Sequence, residues 1–346
     1  MAFFCETLDR RVVPNWRSFD ATVAIGEMEY QKNMQHVPFD LREYEYEWKE
    51  NKSLLYASEF VNAAVANGIL DNSSARDAAE FVLQNSDKAT EAQKLIALSL
   101  IETQGKEVFL SSNHELDELL MNTKDIYAHI GYYKSLIRKY PYNPINYVEA
   151  ARFYVMIGQS KQAVNMMNIA LNLDSDNRFV SRSAARLFVH VDDFDRAHYV
   201  LRNNVQVAND PWLMASEISV NLLRNRSSSL IKKGISLINS GDFSPFSLSE
   251  LSSTLGTLEF IKGTLKKSKV FFNKSLILPN DNSLAQAEWA KSNNLALDFD
   301  KKICEKVNLS YEANTLYAYQ NEKYEDALNA AIRWLNDMPY SKNPIF

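Results

Sequence analysis

Glycine and proline are both scarce in this chain of 346 residues, with nine of each. Average usage of glycine, about 7%, would give roughly 24. Sheet-rich folds need both residues in their hairpins and βα turns, so a sheet architecture is disfavoured. The chain is also too long for one small core. Together these features favour an all-α protein that grows as a stacked array.

Cysteine is rarer still, with Cys5 and Cys304 far apart in the chain. Two such residues cannot form a disulfide framework, which fits a reducing compartment. No run approaches the ~18 apolar residues that cross a bilayer, and the first residues lack the apolar core of a secretory leader. We therefore expect a cytoplasmic protein that does not associate with membranes.

Excess charge of either sign is small, with a net charge of −5 and a pI near 5.7. Such a balance provides no general attraction to nucleic acid or to anionic membranes, although a local basic patch stays open. Hydrophobic residues form 46% of the chain and charged residues 23%. This is enough apolar surface to fold nearly the whole chain.

Motifs that carry chemistry are missing as well. No glycine-rich phosphate loop, nucleophile elbow or helical His-Glu pair occurs. No two of the five histidines have metal-ligand spacing: His36, His114, His129, His190 and His198. The acidic clusters at 115–118 and 43–48 are typical of solvated helix faces. The sequence therefore predicts no catalytic, cofactor or metal site, and a protein that is not an enzyme.

An internal repeat is present instead. The turn sequence at 158–163 returns 34 residues later at 192–197, and related turns occur at 262–265 and 322–327. Apolar or small residues follow each turn at helical offsets, as in Ala163, Met166, Met167, Ala170 and Leu171. A small residue opens four of these helices, which allows close approach to the preceding helix: Ala163, Ala197, Ser268 and Ala327. Helix-stopping residues end the units at Pro141, 174–177, Pro279 with Asn280, and Pro339.

These positions resemble the tetratricopeptide repeat family, whose units are helical hairpins of 34 residues. The clearest copies are 144–177, 178–211, 249–282 and 308–341, and Leu255 with Gly256 matches the Leu-Gly pair of the family. The resemblance implies a right-handed α-solenoid of about seven to eight hairpins. A degenerate hairpin is expected at 212–245 and an abbreviated one at 284–293 with 299–307. Asp192 stands where the family has a turn glycine, and Ser268 where it prefers alanine.

The segments before residue 144 differ in character. Helices are predicted at 53–68, 74–85, 90–103, 114–122 and 125–139, as degenerate helical hairpins. Residues 1–52 form a separate N-terminal region, with an extended arm at 10–19, a helix at about 20–33, and a helix or linker at 41–51. Trp16 and Phe19 on the arm are predicted to bury in a groove of this chain or of a partner. The sequence predicts no capping helix at the C-terminal end of the repeat array at 144–346, so we expect a longer array or self-association through that end.

The resemblance also implies a concave groove lined by the first helix of each hairpin. Its lining would be Val148, Arg152, Val155, Phe179, Arg182, Arg186 and Val189. Arg152 and Arg186 lie one period apart, so they are expected side by side as part of a patch for an acidic peptide or a phosphate. The alternative is that these arginines pair with Glu149, Asp192 or Asp193.

From the sequence we expect a protein-binding scaffold or sensor whose partner is another protein or peptide. Two alternatives remain: a regulatory module of a larger enzyme or multi-component assembly, and a nucleic-acid-binding helical repeat. The second is less favoured, because arginine and lysine fade from the predicted groove after Arg186.

Overall fold

The computed structural model describes residues 13, 16, 19, 42–67, 69–102, 123–299, 303, 307 and 309–338. Within these residues the fold is all-helical: sixteen helices account for 72% of them, and no strand occurs. The prediction of an all-α protein is therefore confirmed for the described part of the chain.

The helices fall close to the predicted segments. The first eight are α1 Arg42–Glu50, α2 Leu54–Ala66, α3 Ser73–Gln84, α4 Glu91–Glu102, α5 Thr123–Lys139, α6 Pro144–Met156, α7 Ser160–Leu173 and α8 Arg178–His190. The others are α9 Phe194–Asn203, α10 Pro211–Leu223, α11 Ile231–Ser240, α12 Ser249–Lys262, α13 Leu265–Ser275, α14 Asp281–Ser292, α15 Tyr311–Gln320 and α16 Tyr324–Asp337. The helices predicted at 20–33 and 114–122 lie outside the described residues, as does most of the one predicted at 299–307.

Contacts group the chain into two compact units. One comprises Arg17–Ala184, and the other combines Met1–Trp16 with Ala185–Phe346, so the division falls within α8. In the first unit, α2 packs on α3, α3 on α4, α5 on α6, and α6 on α7. In the second, α12 packs on α13 and on α14, α14 on α15, and α15 on α16. The boundaries expected after residues 52 and 143 were defined by how closely each segment follows the repeat pattern, and they stay predictions.

The small residues at the start of the second helices lie where two helices approach closely. Ala163, Ala197 and Ser268 have no exposed surface. The Ser268 hydroxyl donates to the carbonyl oxygen of Gly256 on the preceding helix, at 2.9 Å. A Cβ atom added at Gly256 would lie 3.0 Å from the Phe272 ring, closer than ordinary van der Waals contact. The Leu-Gly pair noted in the sequence therefore marks a tight crossing of α12 and α13.

Five helices end in the same backbone turn, so the turn itself is repeated along the chain. One residue in each turn has a positive φ between 54° and 73°: Gly158, Asp192, Asn225, Asn294 and Glu322. Its N–H donates to the carbonyl three residues back, at 2.9–3.1 Å, and the next N–H donates five residues back, at 2.8–3.0 Å. This pair of bonds is the Schellman motif, which satisfies the last carbonyls of a helix.

Helices α6, α10, α12 and α14 are buried over most of their surface, while α7, α9 and α13 bury a single stripe. Many buried side chains of the first group are polar. In the unit that contains Ala185–Phe346 they bond across helices: Ser219 with Thr254 at 3.4 Å, Thr257 to Gln286 at 2.8 Å, and Asn280 to Glu250 at 2.7 Å. Burial of these groups is tolerated because they are hydrogen-bonded.

The shared turn predicts that two substitutions at its positive-φ residue change the free energy of unfolding in opposite directions. Glu322→Gly should raise the free energy of unfolding by about 0.5–1 kcal/mol, because a side chain is strained at positive φ. Gly158→Ala should lower it by about 1 kcal/mol, since no atom lies within 4 Å of the added Cβ and only the backbone is affected. Denaturant unfolding of both variants checks this.

Gly131→Ala is the matched control, because Gly131 lies inside α5 with open space around its Cβ position. There the same substitution should stabilise by up to about 1 kcal/mol. Equal effects of Gly158→Ala and Gly131→Ala would contradict the assignment of the turn.

Candidate partner-binding site

The side chains predicted to line an open groove are largely covered. Six are buried: Val148, Arg152 and Val155 on α6, and Phe179, Arg186 and Val189 on α8. Arg182 on α8 is half-buried. These six side chains therefore offer little surface to a partner in this structure. Their role in binding stays a prediction.

Phe19, a described residue of the predicted arm, contacts the predicted groove in the unit Arg17–Ala184. The Phe19 ring lies edge-on to the Phe179 ring, with centroids 5.1 Å apart. It also stacks on the Tyr44 ring at 5.9 Å, and the Phe19 N–H donates to Glu149 Oε1 at 2.8 Å. We call the pocket formed by Tyr44, Glu149, Arg152 and Phe179 the Phe19 site. Trp16, in the other unit, is buried as well.

The Glu149 carboxylate is the electrostatic centre of the Phe19 site. It is buried, and its second oxygen lies 3.4 Å from Arg152 Nε. The Arg152 guanidinium also lies over the Phe153 ring, 4.7 Å from its centroid. Arg152 thus forms the ion pair that the sequence left as the alternative to a partner-binding patch. Loss of one member of a buried pair would leave an uncompensated charge.

Helix α1 holds the start of α8 in position. Both Glu47 oxygens bind the Arg178 guanidinium, at 3.0 and 3.1 Å. The Arg178 N–H donates to Glu59 Oε1 on α2 at 2.7 Å. The expectation that the acidic cluster at 43–48 is a solvated face is therefore wrong for Glu47, and also for Tyr44 and Trp48, which are buried. Tyr44 and Trp48 lie four residues apart, and this apolar spacing was the signal that the sequence contained.

A second polar cluster lies at the end of α7 in the same unit. Asp174 is buried, and Asn62 Nδ2 donates to its Oδ2 at 3.4 Å. Asn143, which caps α6, donates in turn to the Asn62 carbonyl at 3.5 Å. Burial, helped by the nearby charge of Asp176, raises the pKa of Asp174 to about 7. The protein therefore holds a carboxyl group that is partly protonated near neutral pH.

Elsewhere in the described ranges, no three His, Cys, Asp or Glu side chains lie together as metal ligands. Nor does that part of the chain contain a helix long and apolar enough to cross a membrane. In comparisons with known proteins, the chain matches no protein-family model, no curated protein and no solved structure. The candidate site is therefore described from its contacts and burial alone.

The raised pKa of Asp174 predicts how stability depends on pH. The folded state keeps the proton up to about pH 7, while the unfolded carboxyl releases it near pH 4. The folded state thus binds more protons between these values, so the free energy of unfolding contributed by Asp174 falls as pH rises from about 4 to 7. Asp174→Asn should remove this fall, so the variant should gain stability relative to the native chain across the window.

Urea unfolding at several pH values between 4 and 8 measures the difference. Asp71→Asn is the control, because it removes a carboxylate whose side chain is 90% exposed in the same unit. A difference between Asp174→Asn and the native chain that stays constant with pH would contradict the assignment.

Proposed function

We propose that this chain is a non-enzymatic, cytoplasmic scaffold that binds another protein through a right-handed solenoid of tetratricopeptide-like helical pairs. The shared helix-ending turns at Gly158, Asp192 and Asn225 support the repeat, because they recur at intervals of 34 and 33 residues. The tight crossing at Gly256 and Ser268 supports it as well. Arrays of this kind offer a long surface for extended partners.

The observation that carries the proposal is the chemistry of the Phe19 site. It receives an aromatic ring between Tyr44 and Phe179, and Glu149 accepts a backbone N–H from the same residue. An aromatic pocket combined with a backbone hydrogen bond is a general means of binding a peptide segment. We expect the partner to present a phenylalanine or a similar residue to this site.

Arg182 extends the same surface. It lies three residues after Phe179 on α8, which places both on one side of the helix, and it is half-buried rather than buried. An acidic residue next to the aromatic residue of the partner would therefore lie near a guanidinium group, which binds carboxylates well. The partner segment is thus an aromatic residue with acidic neighbours.

The arm acts as a competitor in this account. Because Phe19 belongs to the same chain as the site, it binds there intramolecularly, which gives it an advantage over a free partner. A free partner must displace it, so the native chain should bind more weakly than a chain whose site is open. The arm thereby sets a threshold for binding.

Binding of a labelled peptide of residues 10–24 to the full chain tests the proposal. Phe19→Ala should open the site, and the peptide should bind this variant at least about tenfold more tightly than the native chain. Tyr46→Ala is the control variant, since it removes an exposed tyrosine from α1 and should leave binding unchanged. Fluorescence anisotropy provides the readout.

A second labelled peptide, carrying alanine at the Phe19 position, separates specific from general binding. It should not bind Phe19→Ala measurably more tightly than it binds the native chain. Equal affinity of the two peptides for the variant, or equal affinity of the first peptide for both chains, would refute the site. Affinity capture from the source cell then identifies the natural partner. The partner should be captured by Phe19→Ala, whose site is open, and not by Phe179→Ala, whose site lacks one of its two rings.

A further inference from the structure

Helix α5 has one face packed on α6 and one face in solvent, both within the unit Arg17–Ala184. His129 stacks on the Phe153 ring at 4.8 Å, and Tyr133 stacks on the same ring at 5.7 Å. Ile126 and Ile130 are buried. These contacts fix the rotation of α5, so its opposite face is held outward.

Among residues 126–143, the large exposed side chains on the outward face are tyrosines and cations. Tyr127, Tyr132 and Tyr142, just beyond the helix, are 53%, 42% and 43% exposed. Lys134, Arg138 and Lys139 are exposed too. We call these six residues the α5 face. Residues 126–143 contain no aspartate or glutamate, and within the described chain none of the three cations forms an ion pair.

The spacing forms a continuous stripe. Tyr127, Gly131, Lys134 and Arg138 lie at offsets of four, seven and eleven residues, which is one side of an α-helix over about 16 Å. Gly131 leaves a gap in the stripe, with no atom within 4 Å of its Cβ position. Lys134 Nζ lies 5.7 Å from the Tyr154 ring, and Lys139 Nζ lies 5.1 Å from the Tyr140 ring. Two of the cations thus lie beside tyrosine rings that are outside the six residues of the face.

From this arrangement we infer that the α5 face binds single-stranded nucleic acid. Proteins that bind single strands with little sequence preference combine cations that contact phosphates with aromatic rings on which bases stack. The α5 face has both, and its stripe of about 16 Å is long enough for two or three nucleotides. The inference is independent of the Phe19 site, since it uses none of the same residues.

Two other ligands fit the face less well. An acidic peptide would neutralise the cations but would make no use of the exposed Tyr127 ring. An anionic membrane is bound by helices that present broad stripes of Leu, Phe or Trp beside their cations, whereas every large uncharged side chain of this face has a hydroxyl group. The net charge of −5 opposes binding of long polyanions, so the ligand is a short segment.

Anisotropy with a labelled single strand of twelve nucleotides, as DNA and as RNA, tests the inference on the full chain. Three phosphate contacts give a slope of about −2 for the logarithm of affinity against that of salt concentration, so affinity should fall roughly 20-fold between 50 and 200 mM salt. Tyr127→Ala should weaken binding by at least about fivefold, because one stacked base is lost.

Gly131 lies at an open position, so either a positive or a negative side chain can be introduced there. Gly131→Lys should tighten binding and steepen the salt dependence, while Gly131→Glu should weaken it. Both should keep or raise the melting temperature, since glycine is a poor helix former. Lys232→Gln on α11 is the matched control: Lys232 is exposed in the other unit, and its substitution lowers the net charge by one, as Gly131→Glu does.

Three results would overturn the inference. The first is no detectable binding of the native chain at 50 mM salt. The second is equal weakening by Gly131→Glu and Lys232→Gln, which would mean that only net charge matters. The third is displacement of the strand by poly-glutamate at an equal concentration of charges, which would show that the rings contribute nothing.

Discussion

The buried carboxylate of Glu149 is the group on which the candidate site depends. A charge removed from water needs compensation inside the protein, and Glu149 obtains it from the Arg152 guanidinium and the N–H of Phe19. This requirement joins the arm to α6. It also means that loss of the Phe19 contact would remove one hydrogen bond from a buried charge.

The same constraint operates on the other buried helices. Helices α10, α12 and α14 bury serine, threonine, asparagine and glutamate side chains, which bond to one another. The small residues at the helix crossings and the shared helix-ending turns set the distance and direction that let these bonds form. Packing thus positions the polar groups, and the polar groups in turn determine which helix arrangements are tolerated.

Local features of the fold were predictable from the sequence. The helices that follow Asn143 and Asp210 begin within one residue of the predicted starts at 144 and 212, and the helix that follows Asn280 begins three residues before the predicted start at 284. The turn at Asp192 was expected to replace a glycine, and its φ of 63° shows that aspartate adopts that conformation. These features depend on residues that are close together in the chain, so a short stretch of sequence is enough to predict them.

Features that depend on distant residues were not predictable in this way. Glu47 and Arg178 are 131 residues apart, and no local period connects them. The burial of Val148 and Phe179 was missed because the predicted groove was assumed to face solvent, whereas Phe19 covers Phe179. Glu149 was considered only as a surface partner of Arg152. A glutamate on a helix looks the same in the sequence whether it is solvated or buried.

The central claim is that Phe19 occupies a site on α6 and α8, and a double-mutant cycle on unfolding free energy tests it most directly. The cycle compares Phe19→Ala, Phe179→Ala and the double variant, with a second cycle between Phe19 and the exposed Tyr142 as reference. Packed aromatic pairs contribute about 0.5–1.5 kcal/mol beyond the area they bury. The account predicts a coupling energy in this range for Phe19 with Phe179 and none for Phe19 with Tyr142. Additive effects of Phe19→Ala and Phe179→Ala, within about 0.3 kcal/mol, would contradict it.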